Sequence, residues 1–415
     1  MPVEPILSIC VPSRNRQIYF QEAIKSLLMS TRDDVEFVFA DNSDDPSIMD
    51  DFICGFEGDT RIRYLRSGAT PLSMMDNWER ALTAATGRFV SFIGDDDFID
   101  PELAGFIVNL EKNVSADAIA WTGPNYIWPT EGSQPRPITI SLKTSVTQFD
   151  KRHLMRKAFH WEGCSHVPLN GFSIYHGALS RRLLEKVRLM GNGRYFEFPV
   201  IDYEMAFKAI LLGDTFIHVA RPFSILGACP LSNSVTIGNV EAEKKGQEVF
   251  FQELGRNMND DAWIEGTPFR TWHGITSCIY LIQHWLSYKY GLKHEGYEKN
   301  LVSAFAANCR LFRDQASFDL VAERLRTAIA EWKGGRYLAD FNPVFVERGT
   351  PVDGPRFQGL KGENTLVFPD NIGGVQTPGE LFHLFESLLV RPGEIAIDFA
   401  ETSEIQIVAP EAEAA

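Results

Sequence analysis

The sequence of 415 residues contains few cysteines and no long hydrophobic run. Its six cysteines are scattered and include no CxxC pair, which argues against a disulfide framework and favours reduced thiols. The apolar runs fall short of the roughly 20 residues that a membrane-spanning helix needs. The opening Met-Pro-Val-Glu-Pro lacks the basic and apolar regions of a signal peptide. We therefore expect a soluble, cytoplasmic protein without a transmembrane segment.

Positive charge is also scarce. The chain has 40 Lys and Arg against 55 Asp and Glu, a formal net charge of −15. This balance argues against a general affinity for nucleic acid or for anionic lipid surfaces. It does not exclude a ligand that carries phosphate, because a bound divalent metal ion reverses the local field.

Two common phosphate-binding motifs are missing. No G-x-G-x-x-G follows the first predicted strand, and the chain contains no G-x-x-x-x-G-K-[ST]. The dinucleotide fingerprint and the P-loop are therefore excluded. If this protein binds phosphates, a metal ion and side chains must hold them.

The first 125 residues alternate apolar, strand-like runs with amphipathic helical segments. The predicted strands are 6–11, 35–40, 61–65, 89–93 and 116–121. This alternation predicts an α/β fold with a doubly wound, mostly parallel sheet of Rossmann-like type. Polar clusters at 14–16, 41–45 and 95–97 follow three of the strands. They should meet at the carboxyl edge of the sheet, where open α/β folds bind ligands.

The most informative of these clusters is Asp95-Asp96-Asp97, which follows an apolar run and Gly94. Carboxylate oxygens suit Mg²⁺ or Mn²⁺, which keep waters and take further ligands from substrate phosphates. The alternative is an acidic turn solvated at the surface. After the triplet, Asp100 is predicted to be a helix N-cap with Pro101 at the first helical position.

Several segments in this order resemble family 2 glycosyltransferases of the GT-A fold. They are Ile-Cys-Val-Pro-Ser-Arg-Asn-Arg at 9–16, Ala-Asp-Asn-Ser-Asp-Asp at 40–45, Asn77-Trp78, Ala-Ala-Thr-Gly-Arg at 84–88 and Gly-Asp-Asp-Asp at 94–97. The resemblance covers residues 5 to 125 well and extends loosely to 235. It implies a GT-A-type sheet, a nucleotide-diphosphate-sugar donor and inversion at the transferred carbon.

The resemblance also implies roles for residues at the matching positions. The residues implied for nucleotide binding are Pro12, Arg14, Asn15, Asp41, Asn77, Asp95 and Asp96. Within this set, Asp41 would accept a hydrogen bond from the base or ribose, and Asp95 would lie nearest the ribose. Asp96 and Asp97 would hold the Mn²⁺ or Mg²⁺ that bridges the two phosphates.

Simpler interpretations stay open for several of these residues. Arg14 and Arg16 could be solvated surface charges, and Asp41 could serve only as a turn former at the end of its strand. Asn77 could merely support the start of its helix. Residues 227–236, rich in small side chains, could form a flexible segment that closes over a donor.

A candidate catalytic base lies farther along, at the start of a predicted helix. The resemblance places an acidic residue of the base type here, often as Glu-Asp, whereas this chain has Asp202-Tyr203-Glu204. Inverting transfer needs a carboxylate within hydrogen-bond reach of the acceptor hydroxyl. Asp202 is the candidate, and the departure from the family pattern leaves Glu204 open as the base. Asp202 could also be only a helix cap.

The composition changes along the chain and predicts three regions. Residues 1–236 form the GT-A domain, with a nucleotide-sugar-binding half (1–125) and an acceptor half (126–236). Residues 237–333 are helical, with apolar faces at Trp272, Ile275, Ile279, Ile282 and Leu286 and again from Phe318 to Trp332. These faces pack on one another and on the GT-A domain, or form a homodimer interface. Attachment at a membrane surface is a third alternative, which the acidic chain disfavours. Residues 334–415 form a small α+β element.

We therefore expect a metal-dependent glycosyltransferase that moves a sugar from a nucleotide diphosphate, most simply of the UDP type, to a saccharide or other hydroxyl acceptor. Surface polysaccharide or glycoconjugate synthesis would use such an enzyme. The Q-x-x-R-W signature of processive synthases is absent, so one sugar is added per encounter. Nucleotidyl transfer would need a Gly-rich basic loop after the first strand, where this chain has Pro-Ser-Arg-Asn-Arg. The other alternative is a non-catalytic nucleotide-sugar or carbohydrate-binding protein that keeps the fold.

Overall fold

The structure is a computed structural model, and it describes residues 4–131, 135–168, 171–232, 236–347 and 357–399. The strands are β1 (Leu7–Ser13), β2 (Val35–Asp41), β3 (Ile62–Leu65), β4 (Phe89–Phe92), β5 (Phe98–Ile99), β6 (Ala118–Trp121), β7 (Asn125–Ile127), β8 (Pro137–Ser141), β9 (Val146–Phe149), β10 (Gly177–Ser180), β11 (Phe216–Val219), β12 (Ser224–Ala228), β13 (Gly359–Lys361) and β14 (Thr365–Pro369). The helices are α1 (Gln17–Leu28), α2 (Ser47–Cys54), α3 (Met74–Ala84), α4 (Leu103–Glu111), α5 (Lys151–Phe159), α6 (Arg181–Met190), α7 (Ile201–Leu212), α8 (Val240–Leu254), α9 (Ile275–Tyr290), α10 (Glu298–Asn308), α11 (Gln315–Glu331) and α12 (Pro378–Phe385). Part of the predicted closing segment, 233–235, lies outside the described residues.

One large sheet organises the chain, with the strand order β3-β2-β1-β4-β10-β6-β11-β9. Its pairs are parallel from β3 to β4 and between β6 and β11, whereas β9 and β10 run antiparallel to their neighbours. The predicted α/β, doubly wound and mostly parallel sheet is therefore confirmed. The chain moves outward from β1 to β3 and then returns to place β4 on the other side of β1. The carboxyl ends of β1 and β4 thus form the switch point where such sheets bind ligands.

Both faces of this sheet are covered, as its continuously buried strands require. One face packs on α1, α4 and α12 through residues such as Leu7, Phe37 and Phe106. The other packs on α3, α6, α7 and the later helices through residues such as Val38 and Phe92. Two small three-stranded sheets, β5-β12-β7 and β13-β14-β8, complete the fold.

Helix starts follow the capping signals in part. Ser73 caps α3 as its side chain accepts a hydrogen bond from the amide of Asp76. The prediction of a helix beginning directly after Asp100 is wrong, because α4 starts at Leu103. Asp100 instead accepts from the amide of Glu102 at 2.9 Å and forms a buried ion pair with Arg221 at 3.0 Å.

The later helices share the core of the main sheet. Ile279, Ile282 and Leu286 of α9 and Leu325 of α11 are buried in the same cluster as the sheet face that carries Phe92. Their apolar faces therefore pack within the chain, which was the first of the predicted arrangements. Trp272 was placed on the α9 face wrongly: α9 begins at Ile275, and Trp272 lies in the preceding turn with 45% of its surface exposed.

The C-terminal part of the described chain is built onto the first domain. β14 pairs with β8, which extends from residue 137 to 141. Phe382 of α12 lies 5.0 Å from Phe98, directly after the acidic triplet, and Arg221 donates to the carbonyl of Val390 at 2.9 Å. This region is thus an α+β element as predicted, and it packs on residues of both 1–125 and 126–236. The division of the chain into three domains stays a prediction.

Candidate active site

The switch point gathers the ends of β1 and β4 around Asp95, Asp96 and Asp97, here called the acidic triplet. Ser13, the last residue of β1, donates from Oγ to Asp95 Oδ2 at 2.6 Å. Arg16 Nη2 lies 2.7 Å from Asp95 Oδ1, and Arg16 Nη1 lies 3.6 Å from Asp96 Oδ1. The triplet is buried, with 0%, 4% and 2% of the three residues exposed. The alternative of a solvated acidic turn is therefore wrong.

Burial makes Asp95 an unusual carboxylate. Desolvation raises the pKa of Asp95 to about 7, against the opposing effect of the Arg16 guanidinium. The neighbouring charges of Asp96 and Asp97 add to this rise. Arg16 shows the reciprocal effect: burial would lower its pKa, but Asp95 and Asp96 hold the pKa above its ordinary value.

Asp97 is fully occupied by protein donors. Its Oδ2 accepts from the amide of Gly94 at 2.6 Å, the Tyr175 hydroxyl at 2.8 Å and His176 Nε2 at 2.8 Å. Its Oδ1 accepts from the amide of Gly227 at 2.7 Å. Burial would raise the pKa of Asp97, but His176 and Tyr175 hold the pKa below its ordinary value. Asp97 is therefore a fixed, ionised anchor of the site.

A hydrogen-bonded chain orients His176 toward Asp97. Trp121 Nε1 donates to Ser224 Oγ at 2.7 Å, and Ser224 Oγ lies 2.8 Å from His176 Nδ1. Because an ionised carboxylate only accepts hydrogen bonds, His176 Nε2 carries the proton that it donates to Asp97. The backbone of His176 has φ 49°, a conformation that costs energy in a non-glycine residue and is typical of functional sites.

The strand β12 and the turn after it cover the triplet from the other side. The Asp96 carboxylate accepts from the amide of Cys229 at 3.0 Å and from the Ser232 hydroxyl. The Asp96 carbonyl accepts from Trp128 Nε1 at 2.8 Å. Gly227 is required here, because a Cβ atom at this position would overlap the Asp96 carbonyl oxygen. The described part of the predicted flexible segment is thus packed tightly on the site.

The residues predicted at the nucleotide side lie along the ends of β1 and β2. Asn15 and Asp44 form a reciprocal pair, since Asn15 Nδ2 donates to Asp44 Oδ2 at 2.9 Å and the Asp44 amide donates to Asn15 Oδ1 at 2.9 Å. Arg14 forms ion pairs with Asp44 at 3.4 Å and with Glu253 of α8 at 2.7 Å. Arg14 is therefore a partly exposed, ion-paired charge, and its role toward a nucleotide stays a prediction. Pro12 is buried in β1, beside Ala40 of β2.

Asp41 and Asn77 have local structural contacts. Asp41 Oδ1 accepts from the amide of Ser43 at 3.0 Å and from its hydroxyl at 2.6 Å, and Tyr64 lies 3.4 Å from Asp41 Oδ2. Asn77 donates to the carbonyl of Ala40 at 3.2 Å, which ties α3 to the end of β2. Asp41 thus forms the predicted turn, and Asn77 supports its helix. Their roles toward a nucleotide stay predictions.

Asp202 lies close enough to Tyr175, which donates to Asp97, to influence the pKa of its hydroxyl. The pKa of Tyr175 is raised well above its ordinary value, first by burial and then by Asp97, Asp96 and, more weakly, Asp202. Asp202 itself has a raised pKa because of desolvation, which the nearby amide of Tyr203 partly offsets. The N-cap of α7 is Val200, so Asp202 lies inside the first turn and is not the cap. A carboxylate with a raised pKa beside the binding rim suits a base.

Glu204, the open alternative, is a structural residue. It is fully buried, its Oε1 lies 2.7 Å from Lys208 Nζ, and it accepts from the amides of Glu197 and Phe198 at 3.0 and 2.9 Å. These contacts fix the start of α7 and occupy both carboxylate oxygens. The geometry favours Asp202 over Glu204 as the base.

Few carboxylate oxygens of the triplet are available to coordinate a metal ion. Among the described residues, no group of three or more His, Cys, Asp or Glu side chains is placed to hold a metal. Both oxygens of Asp97 are occupied, whereas Asp96 Oδ1 has its nearest cationic contact, Arg16, at 3.6 Å. Mg²⁺ and Mn²⁺ are often held by one or two carboxylates with waters and substrate phosphates. The residues thus fit a metal shared with a substrate, with Asp96 as the main protein ligand.

Sequence reasoning missed three side chains of this site, namely Arg16, Tyr175 and His176. Arg16 belongs to a polar cluster that was recognised, but nothing in the pattern distinguishes it from Arg14. His176 contacts a residue that is 79 positions away in the chain. Only the insertion of β10 between β4 and β6 brings it there.

The first part of the chain is similar to proteins of a known family. Residues 8–160 match the family model described as glycosyl transferase family 2. This stretch is a family 2 glycosyltransferase domain. It contains the ends of β1, β2 and β4, and therefore the triplet. Tyr175, His176, Asp202 and the covering segment lie beyond the matched residues.

Two curated relatives support the glycosyltransferase domain. The GalNAc(5)-diNAcBac-PP-undecaprenol beta-1,3-glucosyltransferase of Campylobacter jejuni is 32% identical over 161 residues, which are 38% of this chain and 50% of that protein. The uncharacterized glycosyltransferase EpsJ of Bacillus subtilis is 33% identical over 98 residues, 23% of this chain and 27% of that protein. The chain thus spans at most half the length of these relatives.

Solved structures show more distant similarity. TarS 1-349 of S. aureus in complex with UDP-GlcNAc has a TM-score of 0.43 and 13% identity, covering 81% of this chain and 89% of that one. The mannosyltransferase PcManGT of Pyrobaculum calidifontis, in complex with GDP-Man and Mn²⁺, has a TM-score of 0.38 and 15% identity over 82% of this chain and 87% of that one. Within the part of the chain that the structure covers, no helix combines the length and apolarity needed to cross a bilayer.

Proposed function

We propose that this protein transfers a sugar from a nucleotide diphosphate to a hydroxyl acceptor. The observation that carries the proposal is a buried acidic triplet at the switch point of a family 2 glycosyltransferase domain, with Asp202 near Tyr175, a donor to Asp97. We propose a UDP-type donor and an inverting, non-processive reaction. We also propose that the protein is cytoplasmic and that it acts in the synthesis of a surface polysaccharide or glycoconjugate.

In the proposed reaction, Asp202 accepts the proton of the acceptor hydroxyl as its oxygen forms a bond to the anomeric carbon. The bond between that carbon and the diphosphate oxygen breaks, and the nucleoside diphosphate leaves with the electron pair. A bound Mn²⁺ or Mg²⁺, held by Asp96 with Asp97 in support, would supply positive charge to the leaving diphosphate. Asp95, Ser13 and the loop at 14–16 bind and orient the donor, with Asp41 and Asn77 at the nucleoside end.

The acceptor is proposed to be a saccharide. The relative from C. jejuni carries a saccharide linked to PP-undecaprenol in its name, and that name supports an acceptor of this class here. A homodimer through the helical region also stays a proposal, for which the solvent-facing sides of α8 to α11 are the available surface.

The test is a panel of nucleotide-diphosphate sugars, each with Mn²⁺, Mg²⁺ or EDTA. Thermal stabilisation measures donor binding by mass action, and release of nucleoside diphosphate measures turnover. We expect one nucleotide to stabilise the protein and to be released from its sugar when the metal is present. If a nucleotide sugar binds but no nucleoside diphosphate is released, either by hydrolysis or with any saccharide acceptor, the result would favour the non-catalytic binding protein. No binding by any nucleotide would contradict both.

A further inference from the structure

Arg16 occupies the position of a cation at the acidic triplet. Its guanidinium lies 2.7 Å from Asp95 Oδ1, 3.6 Å from Asp96 Oδ1 and 3.8 Å from Cys229 Sγ. Buried carboxylates are stabilised by a nearby positive charge, because burial removes the solvent that would otherwise compensate them. Arg16 therefore neutralises part of the triplet.

The contact with Asp96 is the looser of the two. Asp96 Oδ1 is also the carboxylate oxygen most open to a metal, so a metal ion and the guanidinium compete for the same place. The Arg16 side chain keeps 23% of its surface exposed, which leaves it a path outward. A guanidinium is planar and can bind a phosphate group through two hydrogen bonds. The guanidinium of Arg16 could therefore exchange its carboxylate partner for a diphosphate.

We propose that Arg16 is a built-in counterion that keeps the divalent metal out of the empty site until the donor diphosphate draws the guanidinium away from Asp96. The metal and the nucleotide then enter together, and each strengthens the binding of the other. This inference rests on the proposed function, because it assigns the diphosphate as the group that moves Arg16. It makes Arg16 a regulator of metal entry as well as a phosphate ligand.

Arg14 offers a matched comparison in the same loop. It is paired with Asp44 and Glu253 and not with the triplet. Arg14→Gln removes the same charge from a nearby position but leaves the Arg16 contacts in place. Arg16→Gln removes the guanidinium from the triplet, whereas Arg16→Lys keeps a positive charge there.

The experiment is a titration of the full chain with Mn²⁺, followed by the electron paramagnetic resonance signal of free Mn²⁺, with and without uridine diphosphate. Without nucleotide, we expect Arg16→Gln to bind Mn²⁺ at least about tenfold more tightly than wild type, a change of about 1.4 kcal/mol. In this titration without nucleotide, Arg16→Lys and Arg14→Gln should bind Mn²⁺ as wild type does. Uridine diphosphate should tighten Mn²⁺ binding at least about tenfold in wild type and much less in Arg16→Gln.

Equal Mn²⁺ affinity of wild type and Arg16→Gln without nucleotide would overturn the inference. If Arg16→Gln does not fold by circular dichroism, the wild-type titration decides: tight Mn²⁺ binding without nucleotide, or no effect of the nucleotide, overturns it. These readouts need no sugar transfer. Failure of transfer with the expected Mn²⁺ results would therefore contradict the proposed function and leave the counterion role supported.

Discussion

At the scale of single residues, the site separates fixed carboxylates from adaptable ones. Asp97 accepts from four protein donors, whereas Asp96 keeps one oxygen that faces only Arg16 at 3.6 Å. Asp202 is not part of the triplet, but its charge contributes to the raised pKa of Tyr175. The three carboxylates therefore differ in their surroundings, in line with the roles proposed for them: Asp97 as an anchor, Asp96 as a metal ligand and Asp202 as the base.

His176 should matter for stability as well as for the site. His176→Asn tolerates the left-handed backbone but is too short to reach Asp97, and it leaves a buried carboxylate with one donor fewer. We expect a loss of about 1–3 kcal/mol in the free energy of unfolding, measured by urea titration. Tyr175→Phe removes another donor to the same oxygen and should cost a comparable amount. An unchanged free energy in both variants would contradict the anchoring role of Asp97.

The pH dependence of turnover should report Asp202. A base must be ionised, and desolvation raises the pKa of Asp202 above its ordinary 3.8. We therefore expect kcat to fall as the pH drops through this raised pKa, in addition to any change near pH 7 where Asp95 titrates; Asp202→Asn should lack only the step due to Asp202. The measurement is the rate of nucleoside diphosphate release between pH 4 and pH 8, at saturating donor. A rate that rises toward low pH would contradict a carboxylate base.

At the scale of elements, the fold was predictable where periodicity is strong and the contacts are local. The runs that became β1, β2 and β4 are buried along their whole length, so their hydrophobicity alone revealed a parallel sheet. The cap at Ser73 was equally readable, since its partner is three residues away. Trp272 was misplaced because the turn before α9 continues the same apolar spacing.

The covering of the triplet was not predictable in this way. Gly227 and Ser232 belong to a stretch of small residues, and such a composition is typical of mobile loops. In the structure these residues bond to Asp97 and Asp96, more than 100 positions earlier in the chain. Composition cannot report contacts of this range, and the same holds for His176.

Gly227 tests the covering element directly. In Gly227→Ala, the added Cβ atom would overlap the carbonyl of Asp96, so β12 must move away from the triplet. We expect a lower melting temperature and at least tenfold weaker binding of uridine diphosphate. Gly246→Ala is the control: this glycine lies in α8 with open space around its Cβ position, and alanine there should stabilise by about 0.5–1 kcal/mol. Equal behaviour of the two variants would contradict the covering role of β12.

At the scale of the whole molecule, the parts beyond the family match support the matched domain. Residues of α9 and α11 belong to the core on one face of the sheet, and residues of α12 to the core on the other. The sequence suggested a separate C-terminal element because its composition changes after residue 334. It could not reveal that Phe382 packs on Phe98 beside the acidic triplet.

Phe382→Ala should therefore act on the whole protein. Phe382 is almost fully buried, and truncation of a buried phenylalanine costs about 3–5 kcal/mol. We expect one cooperative unfolding transition, shifted to lower urea, measured by fluorescence. Leu384→Ala provides the control, since Leu384 is 44% exposed and should change stability little. Loss of a separate, minor transition with the main one unchanged would show that the C-terminal part is an independent unit.

The most direct test of the account compares Asp96→Asn and Asp202→Asn in two assays. One assay measures the affinity for uridine diphosphate with Mn²⁺ by calorimetry, and the other measures the rate of nucleoside diphosphate release with an acceptor. We predict that Asp96→Asn loses metal-dependent affinity, whereas Asp202→Asn keeps it and loses about 10²–10⁴-fold in kcat. An unchanged kcat in Asp202→Asn, or an unchanged affinity in Asp96→Asn, would contradict the division of this site into a donor side and a base.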